Sequence, residues 1–338
     1  MADSYFAGLT AADRERLRDE PLPELSAAML ATLTEERFSD PGWIFERKLD
    51  GVRCLATRDA HGRVTLHSRN DKDMTATYPE IAVAVADACD TDVVVDGEVV
   101  AFEGRRTSFA KLQGRIGISD PNVALASGVE VFYYVYDVLH LDGRDVRRVP
   151  QLARKSLLRS ALTWDEPLRF TVHRREAGLA MYEAACARGD EGVIAKRADA
   201  PYTGGRSRDW LKFKCVRDQE LVVGGWTDPK GSRADLGALL VGYHDGDTFA
   251  YAGKVGTGFS AKILADLAAR LAPLATDRSP FDTTSAALRR ERDVHWVRPE
   301  LVVQIGFSEW TRDGALRHPR YQGLRTDKAA ADVVREAR

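Results

Sequence analysis

The sequence predicts a mixed α+β protein in two parts, and three observations carry that reading. Runs rich in Val, Ile, Phe and Tyr recur between residues 43 and 215 and alternate with segments of helical spacing, the pattern of strands and helices together. Near Arg217-Asp218-Gln219 the texture changes to many short strands, tight turns and one amphipathic helix. A chain of 338 residues also has enough material for two hydrophobic cores. The parts are placed at residues 1–216 and 217–338.

Residues 1–40 read as a lead-in, with a charged helical segment at Ala11 to Glu20 and an apolar stretch, Leu22 to Leu33, that lies against a core. Trp43-Ile44-Phe45 ends one buried strand and Val52 to Thr57 forms the next, with Asp50-Gly51 as the turn signal between them. Lys48 therefore sits where backbone geometry is tightly set. A lysine that is desolvated or placed beside other cations loses its proton readily and serves as an amine nucleophile. The competing reading is a solvated lysine beside a hairpin turn.

Asp59-Ala60-His61-Gly62 turns the chain into a return strand, Val64 to Ser68, and Arg69 follows at its end. Pro79 opens a helix that runs to about Cys89. Val93 to Phe102 is a valine-rich strand interrupted by Asp96-Gly97-Glu98. Carboxylates in such a strand are costly unless they meet a cation or a donor, which marks Glu98 as functional. Gly97 lets a ligand or another backbone approach. Val131 to Leu139 is an aromatic strand, mostly core, in which one ring can offer a face to a base. Helices follow from Pro150 to Leu162 and from Ala177 to Arg188, the latter ended by Gly189-Asp190. Glu191-Gly192 then stands at the mouth of an apolar strand that ends in Lys196-Arg197. Pro201 to Asp209 reads as a Gly/Ser/Arg-rich loop. Trp210 to Cys215 alternates, with Leu211, Phe213 and Cys215 on one face and Trp210, Lys212 and Lys214 on the other.

The second part holds strands at Leu221 to Trp226, Ala238 to Tyr243, Thr248 to Gly253, His295 to Val297 and Leu301 to Glu309, and a helix at Phe259 to Leu271. That content suits a small barrel such as an OB-fold. Leu316 to Lys328 is basic and contains Arg317, Arg325 and Lys328. It is either a phosphate-contacting segment or a charged loop before a last helix.

A formal net charge of -2 excludes a global basic signature, so any nucleic-acid contact must be local. Cys54, Cys89, Cys186 and Cys215 show no CxxC or zinc spacing and are expected to be reduced core thiols of a cytoplasmic protein. The charged N-terminus has no secretory core, and no apolar run is long enough for a membrane span.

Taken in order, Glu46-x-Lys48-x-Asp50-Gly51-x-Arg53, Ser68-Arg69-Asn70, Asp96-Gly97-Glu98, Tyr134-x-Tyr136-Asp137, Glu191-Gly192-Val193-Ile194-Ala195-Lys196 and Trp210-Leu211-Lys212-Phe213-Lys214 resemble the ATP-dependent DNA ligases of the covalent nucleotidyltransferase superfamily. Within that group the pattern is similar to bacterial ligases of the ligase C type and to the ligase domain of ligase D. The resemblance implies a two-sheet, ATP-grasp-like nucleotidyltransferase domain followed by an OB-fold domain, with the nucleotide between the sheets. It implies that Lys48 takes AMP from ATP, that the adenylate passes to a 5′-phosphate, and that the neighbouring 3′-hydroxyl seals a nick in duplex DNA, as in DNA repair. Lys212 and Lys214 would neutralise the α-phosphate and lower the pKa of Lys48. Glu98 and Glu191 would hold Mg²⁺ (or Mn²⁺) or ribose hydroxyls, and Arg53 and Arg69 would contact ribose and phosphates. Glu46 would lie beside the adenine, Tyr136 would stack on it, and Lys196 would belong to the same site. Arg317, Arg325 and Lys328 would reach the pyrophosphate. The expected partner is nicked double-stranded DNA, bound by a monomer with no membrane association, alongside a repair polymerase or end-binding proteins. Two departures stand out: Tyr136 occupies a position that is often Phe, and Arg47 places a cation beside the nucleophile. The rivals are an RNA ligase or mRNA-capping guanylyltransferase and, from another class, a non-catalytic nucleic-acid-binding protein built on an OB-fold.

Overall fold

In the computed structural model, residues 4–23, 27–215, 217–229, 236–282, 287–311 and 313–336 are described. The chain divides into two compact units, Met1–Cys215 with Arg338, and Val216–Ala337. The fold is mixed α+β with several sheets.

The strands of the first unit that matter here are β1 (Met29–Leu33), β2 (Trp43–Lys48), β3 (Val52–Arg58), β4 (Val64–Ser68), β5 (Val93–Val100), β6 (Phe132–Leu141), β7 (Leu168–Phe170), β8 (His173–Arg175), β9 (Gly192–Arg197) and β10 (Gly205–Lys214). Its longer helices are α1 (Pro79–Asp87), α2 (Gln151–Ala161) and α3 (Gly178–Arg188). Among the described residues these build two sheets. One runs from Arg18–Asp19 through Arg144–Asp145 to β6-β5-β3-β4, with β7 parallel to β6, and the other is β8-β2-β9-β10-β1. The Asp50-Gly51 turn therefore does not close a hairpin. It carries the chain from β2 in one sheet to β3 in the other, so Lys48 sits at the crossing.

Three apolar clusters fix this arrangement. Val52, Cys54, Ala56, Val95, Tyr133 and Val135 pack one face of the first sheet against Ile81 and Val85 of α1 and Leu157 and Leu158 of α2. Phe45, Val193, Ala195 and Phe213 pack the second sheet against Ala185 and Met181 of α3. Leu55, Val94 and Leu139 of the first sheet meet Met29 and Trp210 of the second. The two sheets thus face each other and meet at this apolar cluster, each backed by helix. α1 begins at Pro79, whose fixed φ suits a first turn. α3 ends at Gly189, whose φ of +71° is a left-handed cap.

The second unit contains β11 (Arg217–Thr227), β12 (Ala238–Asp245), β13 (Thr248–Val255), α4 (Ala261–Leu271), β14 (Val294–Val297), β15 (Val302–Phe307) and β16 (Arg320–Leu324). The long β11 pairs with β12, β14 and β15, and β15 pairs in turn with β16. Its own core includes Leu221, Val223, Leu240, Val255, Leu267 and Ile305. No helix among the described residues is long and apolar enough to cross a membrane.

Four expectations are corrected. Only Ala11–Arg14 of the N-terminal segment is helical, capped by Thr10, and Arg18–Asp19 instead adds to the first sheet. The segment has too few apolar residues at helical spacing to hold a longer helix against a core. Residues from Gly205 are not a loop but the first half of β10, which pairs in parallel with β1 and breaks register between Ser207 and Leu211. Ladder bonds to β1 override the Gly/Ser/Arg composition there. No last helix forms among the described residues, and the chain makes a single 3₁₀ turn at Ala330–Asp332. Lastly, Cys186 and Cys215 are not reduced thiols but form a disulfide, because the end of α3 and the end of β10 bring their Cα atoms to 5.1 Å. Cys54 and Cys89 are free and buried.

Candidate functional site

Lys48 ends β2, and strand register decides what it meets. It lies opposite Gly192 of β9, which lies opposite Lys214 of β10. The next row on that face is Glu46, Ile194 and Lys212, and the one after it is Ile44, Lys196 and Trp210. Directly paired residues share a face, and alternate residues stay on it. One face of the second sheet therefore carries Glu46, Lys48, Lys196, Trp210, Lys212 and Lys214, while Phe45, Val193, Ala195 and Phe213 fill the other with α3.

The Lys48 ammonium is ion-paired with Glu191, the residue just before Gly192; their side chains are 17% and 13% exposed. Gly192 itself has a φ of +142°, a conformation open essentially to glycine alone. A Cβ there would collide with the Phe213 carbonyl oxygen. Glycine thus lets β9 and β10 close up beneath the lysine.

Glu46 is 2% exposed. Its two carboxylate oxygens are held by Lys155 of α2 at 2.8 Å and Lys196 of β9 at 2.7 Å. Burial alone would push the Glu46 carboxyl up, but the two ammonium groups outweigh it and hold the group below its ordinary value. Lys196 also stands over the rings of Tyr136, 4.3 Å from its centroid, and Trp210, at 4.0 Å.

The facing sheet supplies the rest. Arg53 of β3 pairs in register with Glu98 of β5, and Glu98 with Tyr134 of β6. The arginine is fixed from behind by buried Asp96, through both carboxylate oxygens, and its Nη2 also meets the Tyr202 hydroxyl at 3.2 Å. Tyr202 donates to Asp96 at 2.8 Å and accepts from the Met29 amide at 3.0 Å. Asp96 thereby holds the Arg53 guanidinium well above its ordinary value despite burial. Register along β5 and β6 shifts so that Asp96 faces Asp137 while Gly97 faces Val135. Tyr136 is the extra residue of that bulge, a feature that re-aims a side chain. Its ring packs edge-on to Trp210 at 5.9 Å, across the seam between the sheets. A Cβ on Gly97 would fall 2.6 Å from the Tyr134 carbonyl oxygen, so the close approach of β6 requires glycine.

The structure thus brings Glu46, Lys48, Lys196, Lys212 and Lys214 onto one face, with Glu191 at its edge, opposite Arg53, Glu98 and Tyr136. Arg69 follows β4 and is partly buried. The remaining predicted cations belong to the second unit, where each has an acidic partner. Arg317 pairs with Glu309, Arg325 with Asp327 and Lys328 with Glu220. Arg47 points to the other face and pairs with Asp190 at 2.9 Å. No cluster of three or more His, Cys, Asp or Glu side chains suited to a metal ion occurs among the described residues.

Asp96, Tyr202 and Lys155 were not assigned from sequence. Asp96 carried a signal, since a carboxylate inside a valine run needs a cation. Lys155 carried one too, because it stands three residues before Leu158, on the buried stripe of α2. Tyr202 sits in a segment of loop composition and gave none.

Comparison with known proteins agrees with this architecture. A solved structure titled "mycobacterial DNA ligase D complexed with ATP and MES" is similar with a TM-score of 0.64 and 36% identity, covering 92% of this chain and 98% of that one. Residues 27–214 match the family model "ATP dependent DNA ligase domain" and residues 232–328 match "ATP dependent DNA ligase C terminal region". The chain belongs to the ATP-dependent DNA ligase family. Among full-length relatives, the "Multifunctional non-homologous end joining DNA repair protein LigD" of Mycobacterium tuberculosis H37Rv is 39% identical over 92% of this chain and 40% of that protein. The corresponding protein of Pseudomonas aeruginosa is 37% identical over 94% of this chain and 37% of its own length. A "DNA ligase" of Haloferax volcanii is 34% identical over 84% and 50%. The chain therefore spans about two-fifths of the length of the LigD relatives it matches.

Proposed function

We propose that this chain seals nicks in duplex DNA, using ATP, through an AMP carried on Lys48. The observation that supports this best is the strand register that sets Lys48, Lys214 and Lys212 on one face, across the seam from Arg53, Glu98 and Tyr136. In the first step the Lys48 amine attacks the α-phosphorus; the new P–N bond forms as the bond to pyrophosphate breaks. The Lys48–Glu191 pair must open for this, and the amine must be neutral. Lys212 and Lys214 offset charge on the phosphate, which is the main demand of phosphoryl-type transfer. Tyr136 offers a ring face to the base, and Arg53, pre-set by Asp96, meets ribose or phosphate, as does Arg69. The AMP then passes to a 5′-phosphate and is displaced by the adjacent 3′-hydroxyl.

Residues 1–216 would act as the nucleotidyltransferase domain and 217–338 as an OB-fold domain that helps grip DNA. In that second domain Arg317, Arg325 and Lys328 would exchange their present acidic partners for pyrophosphate. A Mg²⁺ or Mn²⁺ ion fits the donors available. Such ions take one or two carboxylates and complete their shell with phosphates and water, so Glu98 and Glu191 would suffice without a protein cage. When bound, the ion offsets charge on the phosphates.

The test supplies radiolabelled ATP or GTP and a nicked DNA duplex. ATP should label the protein and yield sealed DNA. Label from GTP alone, or sealing confined to RNA, would overturn the assignment. Arg325→Ala and Lys328→Ala should impair labelling while leaving sealing of a pre-adenylated nick largely intact.

A further inference from the structure

We propose that Lys155, which lies outside every motif that led to the ligase reading, is a positioning residue for the nucleotide base: it fixes the Glu46 carboxylate, ionised and in one orientation, on the face that carries Lys48. The inference rests on the function proposed above, in which that face receives ATP.

Lys155 is 1% exposed although it is a lysine on a helix. Its ammonium meets Glu46 Oε1 at 2.8 Å and the Thr171 carbonyl at 2.7 Å, and stands 4.3 Å from the centre of the Phe170 ring. With those partners it acts on a ligand only through Glu46. Lys196 grips the other carboxylate oxygen at 2.7 Å. One buried cation is enough to neutralise one buried carboxylate, and two buried ammonium groups each add a desolvation cost. Stability alone does not call for the second, since well-packed apolar side chains often serve as well.

Two cations do secure an acceptor that carries no proton. An ionised carboxylate only accepts hydrogen bonds. It suits the 6-amino group of adenine, a donor, and opposes the 6-oxo group of guanine, an acceptor. Holding each oxygen from a different element also prevents the carboxylate from rotating. A site built to pair a polar group discriminates strongly against the analogue that cannot pair. His173 faces Glu46 from β8, and Asp137 lies close enough to act on both lysines.

The experiment measures formation of the lysine adenylate by the full chain as a function of ATP and of GTP concentration. It compares wild type with Lys155→Met, Lys155→Arg, Glu46→Gln and the Lys155→Met/Glu46→Gln double variant, with folding followed by thermal melting. Lys155→Met should raise KM for ATP about tenfold with kcat changed by less than about twofold, the mark of lost binding common to ground and transition states. Its preference for ATP over GTP should fall, and Lys155→Arg should restore most of both. The double variant should be no worse than Glu46→Gln, because the two residues act as one unit. Lys155→Gln, which keeps a donor for Thr171 without the charge, carries the same expectation if the Met variant does not fold. An unchanged KM, a loss confined to kcat, or additive losses in the double variant would overturn the proposal. If Glu46→Gln leaves KM for ATP unchanged, base recognition lies elsewhere and the role of Lys155 falls with it. If wild type takes no label from ATP, the proposed function itself fails.

Discussion

Lys48 and Glu191 form an ion pair across the end of the β2–β9 ladder, each only partly exposed. Lys48, the nucleophile of the proposed reaction, is thus held by a carboxylate one residue from the glycine it faces. The proposed reaction requires that carboxylate to give way to a phosphate.

Lys48→Ala removes the amine, and Lys48→Arg replaces it with a group that does not lose its proton. Both should lower covalent AMP labelling by roughly 10⁴-fold or more, as removal of a nucleophile does. Sealing of a nick supplied with a 5′-adenylate should survive in part, since the DNA hydroxyl is then the attacking group. Persistent labelling of Lys48→Ala would place the nucleophile elsewhere.

Chelation of divalent cations should abolish adenylate formation, and Mg²⁺ or Mn²⁺ should restore it. Glu98→Gln should raise the metal concentration needed for half-maximal labelling. Full labelling in excess chelator is the result that would contradict this.

Arg53 has Asp96 as its buried counter-ion, and Tyr202 bridges the two. Removing one partner of a buried pair strands the other charge, so Asp96→Ala should cost about 3–5 kcal/mol of unfolding free energy. Tyr202→Phe, which removes a single hydroxyl, should cost about 1 kcal/mol. Urea denaturation reads both. A loss below about 1 kcal/mol for Asp96→Ala would mean that Arg53 finds another partner.

Gly192→Ala would force a side chain into a φ of +142° and against the Phe213 carbonyl. About 3 kcal/mol of destabilisation is expected from such a position. Adenylate formation should also fall, because Gly192 is the register partner of Lys48. Wild-type melting of this variant would show that β9 and β10 need not pack so closely.

Glu46 and Asp137 both have carboxyls held below their ordinary values. Burial opposes this in each case, and Lys155 with Lys196, and Arg154, respectively, outweigh it. Folded-state values that are depressed give stability that is present above the ordinary values, 4.5 and 3.8. That stability is lost as pH falls further, toward the folded values. Lys155→Met should raise the folded Glu46 value toward 4.5, so the loss on acidification should be smaller and end at higher pH than in wild type. Urea midpoints measured from pH 7 to pH 3 would show this, and superimposable profiles would refute it.

Much of the site was legible because strand alternation is a strict code. Lys212 and Lys214 share a face with Trp210 in the structure as their spacing required, and Glu46 with Lys48 likewise. The partners across strands were not legible, since register depends on which strands meet. Nothing in sequence pairs Lys48 with Gly192, 144 positions away, or sends Lys155 to Glu46. β1 and the first half of β10 were missed for a related reason. Their composition is that of a lead-in and a loop, and only each other's backbone makes them strands. The cysteine pair was invisible in the same way, being separated by 29 positions with no local motif.

The Cys186–Cys215 bond makes a covalent ring of the segment between them. Glu191, Gly192, Lys196, Lys212 and Lys214 all lie on that ring. A single protease cut anywhere within it leaves both fragments attached, so the chain runs at full mass on a gel without reductant and splits only when the bond is reduced. The ring also shortens the unfolded chain's reach, a constraint worth about 3–4 kcal/mol in the loop-entropy picture. Those five residues are in that sense tied at both ends, while Lys48, Arg53 and Glu98 lie outside the ring.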